Sequence, residues 1–364
     1  GFSIESHWAS AGLAAGDLDG DGAPDLVLSQ TFKSTTDQRG RILVLYGDPA
    51  IAGRVGARVV LQCGLNPLDL VMTDLDGNGL LDLATADAGD GTVTLLLQTA
   101  PSVFIRSVVA ATARPRRLAA GDLNQDGLTD LAVVGARDVV VLFQDSGAPG
   151  AFLPGTVAIP DADANCLALA DADGAGGLDI VLGLQRDIAI ALQDAGAPGT
   201  FLAVQAFPVQ ARGVDALATA DLDGDGGADF AYVSNGIWPS FSGAVTGVLL
   251  HTPGGGFAYT DTVVRRGTPQ TTVVIADMDN DGIDDLLVGG RVGIAWYRQD
   301  PLAPGEFDRV AGREFNAAEG PLAVVDLDGD GFLDPVASFF DSYYAPRKPQ
   351  NTDKFLKPRR FREP

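Results

Sequence analysis

The chain has 364 residues, 46% apolar and 20% charged, with 46 glycines and 21 prolines; this is globular composition, and the lack of a three-residue glycine period excludes collagen. A net charge of −23, from 48 acidic and 25 basic residues, sets the chain against nucleic acid and anionic membrane surfaces. No apolar run reaches the ~18 residues that cross a bilayer, and two cysteines (Cys63, Cys166) with two histidines (His7, His251) exclude a disulfide framework, a His-rich zinc site and a His-based triad.

From the start, Gly1-Phe2-Ser3-Ile4-Glu5-Ser6 reads as an outer β-strand, and the lack of Met or a leader there is expected of a processed chain and equally of a trimmed one. A small-residue strand follows, Leu13-Ala14-Ala15-Gly16, then the loop Asp17-Leu18-Asp19-Gly20-Asp21-Gly22-Ala23-Pro24-Asp25. Two apolar strands come next, Leu26-Val27-Leu28 and Ile42-Leu43-Val44-Leu45-Tyr46. The loop string returns at Asp74, Asp122, Asp171, Asp221, Asp277 and Asp326, at spacings of 57, 48, 49, 50, 56 and 49 residues. After the third strand comes a turn such as Ala148-Pro149-Gly150 or Ala197-Pro198-Gly199, then a weaker fourth strand opening at Phe152 or Phe201.

Four strands per repeat and seven repeats predict an all-β, seven-bladed β-propeller of four-stranded antiparallel blades over residues 1–345. The loops at 17–25, 74–82, 122–130, 171–179, 221–229, 277–285 and 326–334 would join first to second strands. The last repeat lacks a clear fourth strand. Residues 2–8 are predicted to supply it and close the ring, with a third strand around Phe355-Leu356. Residues 346–364 form a basic, proline-rich tail without regular structure; from Ala345 onward the chain holds seven Lys or Arg and two acids.

Four carboxylates within nine residues repel one another unless a cation neutralises them. Hard oxygen donors in this number suit Ca²⁺, which takes six to eight oxygens. First-position ligands are Asp17, Asp74, Asp122, Asp171, Asp221, Asp277 and Asp326. The third position gives Asp19, Asp76, Asn124, Asp173, Asp223, Asp279 and Asp328, and the fifth gives Asp21, Asn78, Asp126, Asp225, Asp281 and Asp330. Backbone carbonyls are expected from Ala23, Leu80, Leu128, Gly177, Gly227, Ile283 and Phe332. The ninth position closes each loop with Asp25, Asp82, Asp130, Asp179, Asp229, Asp285 and Asp334. An EF-hand would need Glu at position twelve and flanking helices. Position twelve is instead Leu28, Thr85, Val133, Leu182, Tyr232, Val288 or Ala337, with β-type sequence on both sides. Up to seven Ca²⁺ are expected, bound most weakly at the Asp171 loop, where Ala175 replaces the fifth-position ligand.

These strings resemble the Asp-x-Asp-Gly-Asp-Gly-x-x-Asp loops of FG-GAP and VCBS repeats, found in integrin α-subunit propellers and many secreted bacterial proteins. The resemblance spans roughly residues 11–345 and implies a calcium-binding propeller. The Phe-Gly and Gly-Ala-Pro signatures of integrins are mostly absent from their usual places, so integrin-type partner binding does not carry over. Relatives include adhesion receptors, sugar-binding lectins and polysaccharide lyases.

The irregular loops fall on the side away from the aspartates, and carry Phe32, Trp238, Phe241, Tyr343 and Tyr344 as the expected ligand face for a protein or glycan. Arg116-Arg117, Arg212 and Arg265-Arg266 lie on the same side and are expected to pair with carboxylates. The basic tail is expected to contact a partner or the acidic ring. No nucleophile elbow, phosphate loop or zinc motif occurs, so no enzyme is expected. The sequence thus predicts a secreted or cell-surface, calcium-stabilised propeller for protein binding, adhesion or assembly; the alternative is a lectin or a polysaccharide lyase.

Overall fold

A computed structural model describes residues 8–32, 39–159, 162–209, 213–235, 245–252, 256–266, 270–290, 293–310, 320–339, 342–345 and 359–361. Among these residues there is no helix. Their 28 strands make seven four-stranded sheets, each paired in strict chain order. The chain forms two compact units: Gly1–Ala120, Leu128–Val157 and Gly320–Pro364 in the first, Gly121–Gly127 and Ala158–Glu319 in the second.

The first sheet shows the plan. Its strands are Trp8–Gly16, Asp25–Phe32, Arg39–Gly47 and Val55–Leu65, all antiparallel. The next six sheets begin with Pro67–Thr73, Arg117–Gly121, Cys166–Ala170, Ala216–Ala220, Gln270–Ala276 and Leu322–Val325. Every second strand opens on the ninth-position aspartate of its loop: Asp25, Asp82, Asp130, Asp179, Asp229, Asp285 or Asp334. The second strand is buried on both faces, which is why it reads as an unbroken apolar run such as Leu26-Val27-Leu28. The fourth strand is an outer edge and need not be apolar, although Val103 and Ile105 are exposed there in the second sheet.

The sheets pack through these buried strands. In the first unit, Val27, Ile42 and Val44 of the first sheet meet Leu70, Leu83 and Leu96 of the second. The second sheet turns a smaller residue to its other neighbour: Ala84, together with Leu95, packs on Leu131 and Val140 of the third. Leu26, Leu28 and Leu43 pack on Val336 of the last sheet. In the second unit, Val181 and Ile190 meet Phe230 and Tyr232, while Ala231 and Val248 meet Leu286 and Tyr297. Each large side chain so buried contributes about 1.5–3 kcal/mol. Neither cysteine forms a disulfide; Cys63 is half-buried and Cys166 buried.

The ends differ from the sequence expectation. Trp8–Gly16 is the first strand of the first sheet, and the fourth place in the last sheet is held by Arg359–Phe361 from the tail. The third strand there is Ser342–Ala345, with Tyr343 opposite Phe361. Among the described residues, no N-terminal strand pairs with this sheet. An edge strand needs backbone pairing and tolerates charge, so Arg359-Arg360 serve where an apolar run was expected. Residues 1–7 and Phe355-Leu356 lie outside the described residues.

Candidate metal centre

Each aspartate loop is a tight coil built around its first carboxylate. In the first loop Asp17 Oδ1 accepts from the N–H groups of Gly20 and Asp21 at 2.8 and 3.1 Å, and Oδ2 accepts from Gly22 at 2.9 Å. The same bond to the sixth residue recurs from Gly79, Gly127, Gly176, Gly226, Gly282 and Gly331, at 2.8–3.0 Å. All seven sixth-position glycines have φ between 84° and 90°, a left-handed conformation that side chains disfavour. No atom lies within 4 Å of where their Cβ would be, so backbone shape alone demands glycine. The fifth residue caps its own turn: Asp21, Asn78, Asp225, Asp281 and Asp330 accept from the seventh residue's N–H at 2.7–3.0 Å.

The ninth carboxylate locks the loop to the sheet. Asp25 accepts from Leu18 N–H at 2.8 Å and from Gly47 N–H at 2.7 Å; Asp82 does the same with Leu75 and Gln98 at 2.8 and 2.6 Å. Asp179, Asp229 and Asp285 repeat the arrangement. All seven of these aspartates are at most 4% exposed. Burial pushes the carboxyls of Asp25, Asp82, Asp179, Asp229 and Asp285 up to about 6 and Asp334 up to about 7, against hydrogen bonds that pull them down. The charged forms are therefore costly until a cation arrives.

Oxygens converge in these coils. Donor atoms of Asp17, Asp19 and Asp25 lie within 4.8 Å of one another, as do those of Asp74, Asp76 and Asp82, and of Asp171, Asp173 and Asp179. In two further loops the trio is Asp221, Asp223 and Asp225, or Asp277, Asp279 and Asp281. That spread matches oxygens around one Ca²⁺ at about 2.3–2.6 Å each. Three loop oxygens, Asp171 Oδ1, Asp279 Oδ1 and Asp328 Oδ1, are buried with no hydrogen-bond partner. A hard-oxygen donor set with orphaned, buried lone pairs fits Ca²⁺.

The loops are not equivalent. In the third, Asn124 Nδ2 donates to Asp126 at 3.1 Å, a contact that spends a fifth-position oxygen on the amide. In the fourth, Ala175 leaves a small hollow with Gly177 and Asp179 on its wall. In the fifth, His251 Nδ1 lies 3.4 Å from Asp225, over the place a Cβ at position 227 would fill. In the sixth, Arg298 grips Asp279 at 2.8 Å and Asp281 at 2.7 Å.

Sequence reasoning missed a set of glutamines. Gln98, Gln144, Gln193 and Gln299 lie towards the ends of third strands or just past them, and their buried side chains donate to the second residue of the preceding loop. The signal was present: Gln144-Asp145, Gln193-Asp194 and Gln299-Asp300 recur at a fixed 14 residues after the ninth aspartate. In the first sheet Gly47 stands in this role. Beside it opens a cavity of about 310 Å³ lined by Pro24, Leu45, Val55 and Leu327, with Asp21 and Asp326 at its rim.

The expected ligand face is only partly described. Phe32 meets Trp8 edge-on at 5.3 Å; Arg41 stacks over Trp8 at 3.9 Å and Arg39 over Phe32 at 5.5 Å. Trp238, Phe241 and Arg212 lie outside the described residues. Tyr343 and Tyr344 form part of a strand, Ser342–Ala345, and not a loop. Arg116 donates to Gly135 O at 3.1 Å, and Arg117 stands beside the half-buried Asp69.

The loops decide the kinship. Two stretches, residues 74–133 and 277–337, match the model of the FG-GAP-like repeat. These two stretches carry FG-GAP-like repeats, and the four-stranded antiparallel sheets are consistent with propeller blades. Among solved structures it is similar to an Agrocybe aegerita lectin that recognises non-reducing terminal N-acetylglucosamine, at 18% identity over 98% of this chain and 91% of that one, TM-score 0.59. It is also similar to a putative 6-phosphogluconolactonase from Bacteroides uniformis, at 15% identity over 84% and 85%, TM-score 0.53. The V. cholerae biofilm matrix protein Bap1 matches at 11% identity over 98% and 80%, TM-score 0.51. At such identity these likenesses bear on fold alone. No curated protein sequence matches the chain.

Proposed function

We propose that this chain is a seven-bladed, calcium-held β-propeller that acts outside the cell as a binding or assembly module without chemistry of its own. The orphaned oxygens of Asp171, Asp279 and Asp328 carry the reading, because a buried, unpartnered carboxylate oxygen is uncompensated until a cation meets it. Packing of the last sheet on the first, through Val336 and Leu28, supports a closed ring of blades. Calcium supplies charge neutralisation when bound, and the loop residues hold the donor oxygens in place for it. The 25 ligand carboxylates with seven Ca²⁺ would take the formal charge from −23 to −9. Extracellular modules bind calcium with Kd of about 10⁻⁴–10⁻³ M, so millimolar calcium adds about 1.4 kcal/mol per site at ten times Kd. Seven such sites give on the order of 10 kcal/mol, comparable to the stability of a whole domain. Calorimetry with calcium and with excess chelator tests this: the melting temperature should fall by about ten degrees or more on chelation, and coincident curves would sink the reading.

A second reading, carbohydrate binding, is favoured by the Arg41–Trp8–Phe32–Arg39 stack at the end of the first sheet away from its loop. Aromatic faces beside guanidinium groups suit sugar rings, acidic ones above all. The lectin neighbour gives this reading a precedent of fold, and a lyase remains its enzymatic variant. A glycan array read beside a polysaccharide-cleavage assay separates them. Binding that disappears in Trp8→Ala supports the lectin; cleavage would make the chain an enzyme, and silence on every glycan leaves the protein-binding module.

A further inference from the structure

We propose that Gln98, Gln144, Gln193 and Gln299 are positioning residues that couple neighbouring aspartate loops, so that calcium in one loop raises the affinity of the loop before it. The proposal rests on the calcium reading above and extends it from separate sites to linked ones.

Two bonds of each glutamine join the loops, beside the Nε2 contacts that Gln98, Gln144 and Gln193 also make within their own loops, to Leu81 O at 3.0 Å, Thr129 O at 3.0 Å and Leu178 O at 3.3 Å. Its backbone N–H donates to the ninth aspartate of its own loop: Gln98 to Asp82 at 2.6 Å, Gln144 to Asp130 at 2.8 Å, Gln193 to Asp179 at 2.7 Å and Gln299 to Asp285 at 2.9 Å. Its side-chain Nε2 donates to the carbonyl of the second residue in the preceding loop. Gln98 reaches Leu18 at 2.8 Å, Gln144 reaches Leu75 at 2.7 Å, Gln193 reaches Leu123 at 2.7 Å, and Gln299 reaches Leu222. That second residue sits between the first- and third-position ligands. Its own N–H is held by its loop's ninth aspartate, as Leu18 is by Asp25 and Leu75 by Asp82, both at 2.8 Å.

The bonds therefore join end to end. From Asp130 the path runs through Gln144, Leu75, Asp82, Gln98 and Leu18 to Asp25, spanning three loops. It stops at Gly47, which gives Asp25 its N–H but has no side chain to pass on. A second path runs from Asp285 through Gln299 and Leu222 to Asp229. It stops at His251, whose ring turns to Asp225 of its own loop. Metal held by one ninth aspartate fixes the glutamine on it, and the glutamine fixes the peptide between two ligands of the preceding loop. The second metal then meets a loop already ordered, and linkage makes the effect reciprocal.

Isothermal titration of the whole chain with CaCl₂ tests the coupling. Gln98→Met keeps the length of the side chain and removes the donor; it should flatten the isotherm and weaken the sites it joins about fivefold, with the number of sites unchanged. His251→Gln restores the missing donor beside the Asp171 loop, where Gly227 leaves room, and should strengthen the weakest site by a similar factor. If Gln98→Met lowers the melting temperature equally in calcium and in chelator while its isotherm overlays that of the parent chain, the glutamine is plain packing and the coupling is wrong. If that variant does not fold, His251→Gln decides alone, and an unchanged isotherm overturns the proposal. A parent chain that takes up no calcium would sink the metal reading itself, a result visible before any variant is made.

Discussion

One strand of the second sheet, Asp82–Asp87, carries a buried aspartate at each end, and the two ends solve the same problem differently. Burial pushes both carboxyls up to about 6. Asp82 opens the strand at the loop and is met by backbone N–H groups of Leu75 and Gln98, within a cluster of carboxylates. Asp87 ends the strand and is met by hydroxyls, Thr94 at 2.6 Å and Thr85 at 3.0 Å, with one backbone N–H, that of Gly64, beside them. Asp82 belongs to a pattern found in every repeat, whereas the Thr85–Asp87–Thr94 knot is described in the second sheet. The loop end repeats one coil of carboxylates seven times over, which is what the proposed cation would demand. The far end is free to differ from sheet to sheet, and there the first sheet builds its Trp8–Arg41 stack.

Removing the metal is the sharpest way to break this comparison. Chelation should lower stability by an amount on the order of 10 kcal/mol if all seven loops fill, and should leave the Asp87 end untouched. Single substitutions come next. Asp82→Asn should cost about 2–4 kcal/mol in calcium, through loss of a buried ligand, and lower the calcium count by one. Asp87→Asn should cost about 1 kcal/mol with the count unchanged. Denaturant midpoints and calcium titration read both, and equal counts in the two variants would erase the distinction between the ends.

Acidity gives a finer test. In metal-free protein the folded carboxyls hold protons to about pH 6, or about 7 at Asp334, while unfolded ones release them near 3.8. Between these limits the folded state binds more protons, so stability falls as pH rises through the window. Metal-free protein should therefore melt higher at about pH 5 than at about pH 7.5. Calcium should reverse the trend, because it needs the carboxylates ionised. Melting curves at the two pH values, with and without chelator, check the sign.

The aspartate loops were legible because their geometry dictates residue type at fixed positions: carboxylates that accept from the loop's own N–H groups, glycine where the backbone turns left-handed. The sheets were legible for the same reason, as buried second strands such as Leu286-Leu287-Val288 admit only apolar residues. The fourth strand of the last sheet was misread because an outermost strand is chosen by backbone pairing, and Arg359–Phe361 has no apolar signature to find. The glutamine links were missed although Gln-Asp recurs, because a lone glutamine in sequence does not reveal which carbonyl it reaches. The aromatic residues of the far end are fixed by contacts between loops, and those have no period.

The fourth loop position also takes a left-handed turn in every repeat, with φ of 58° to 76°. Five repeats have glycine there, but Gln125 and Asn280 hold the same twist with side chains attached. An L-residue resists that handedness by about 1–2 kcal/mol, and asparagine resists it least. Gln125→Gly should thus raise the thermal midpoint slightly and Asn280→Gly hardly at all, the smallest effect expected in this molecule. Two repeats carry a mirror-image bend that their own chirality opposes, and they keep it because the coil around the first carboxylate has no other shape.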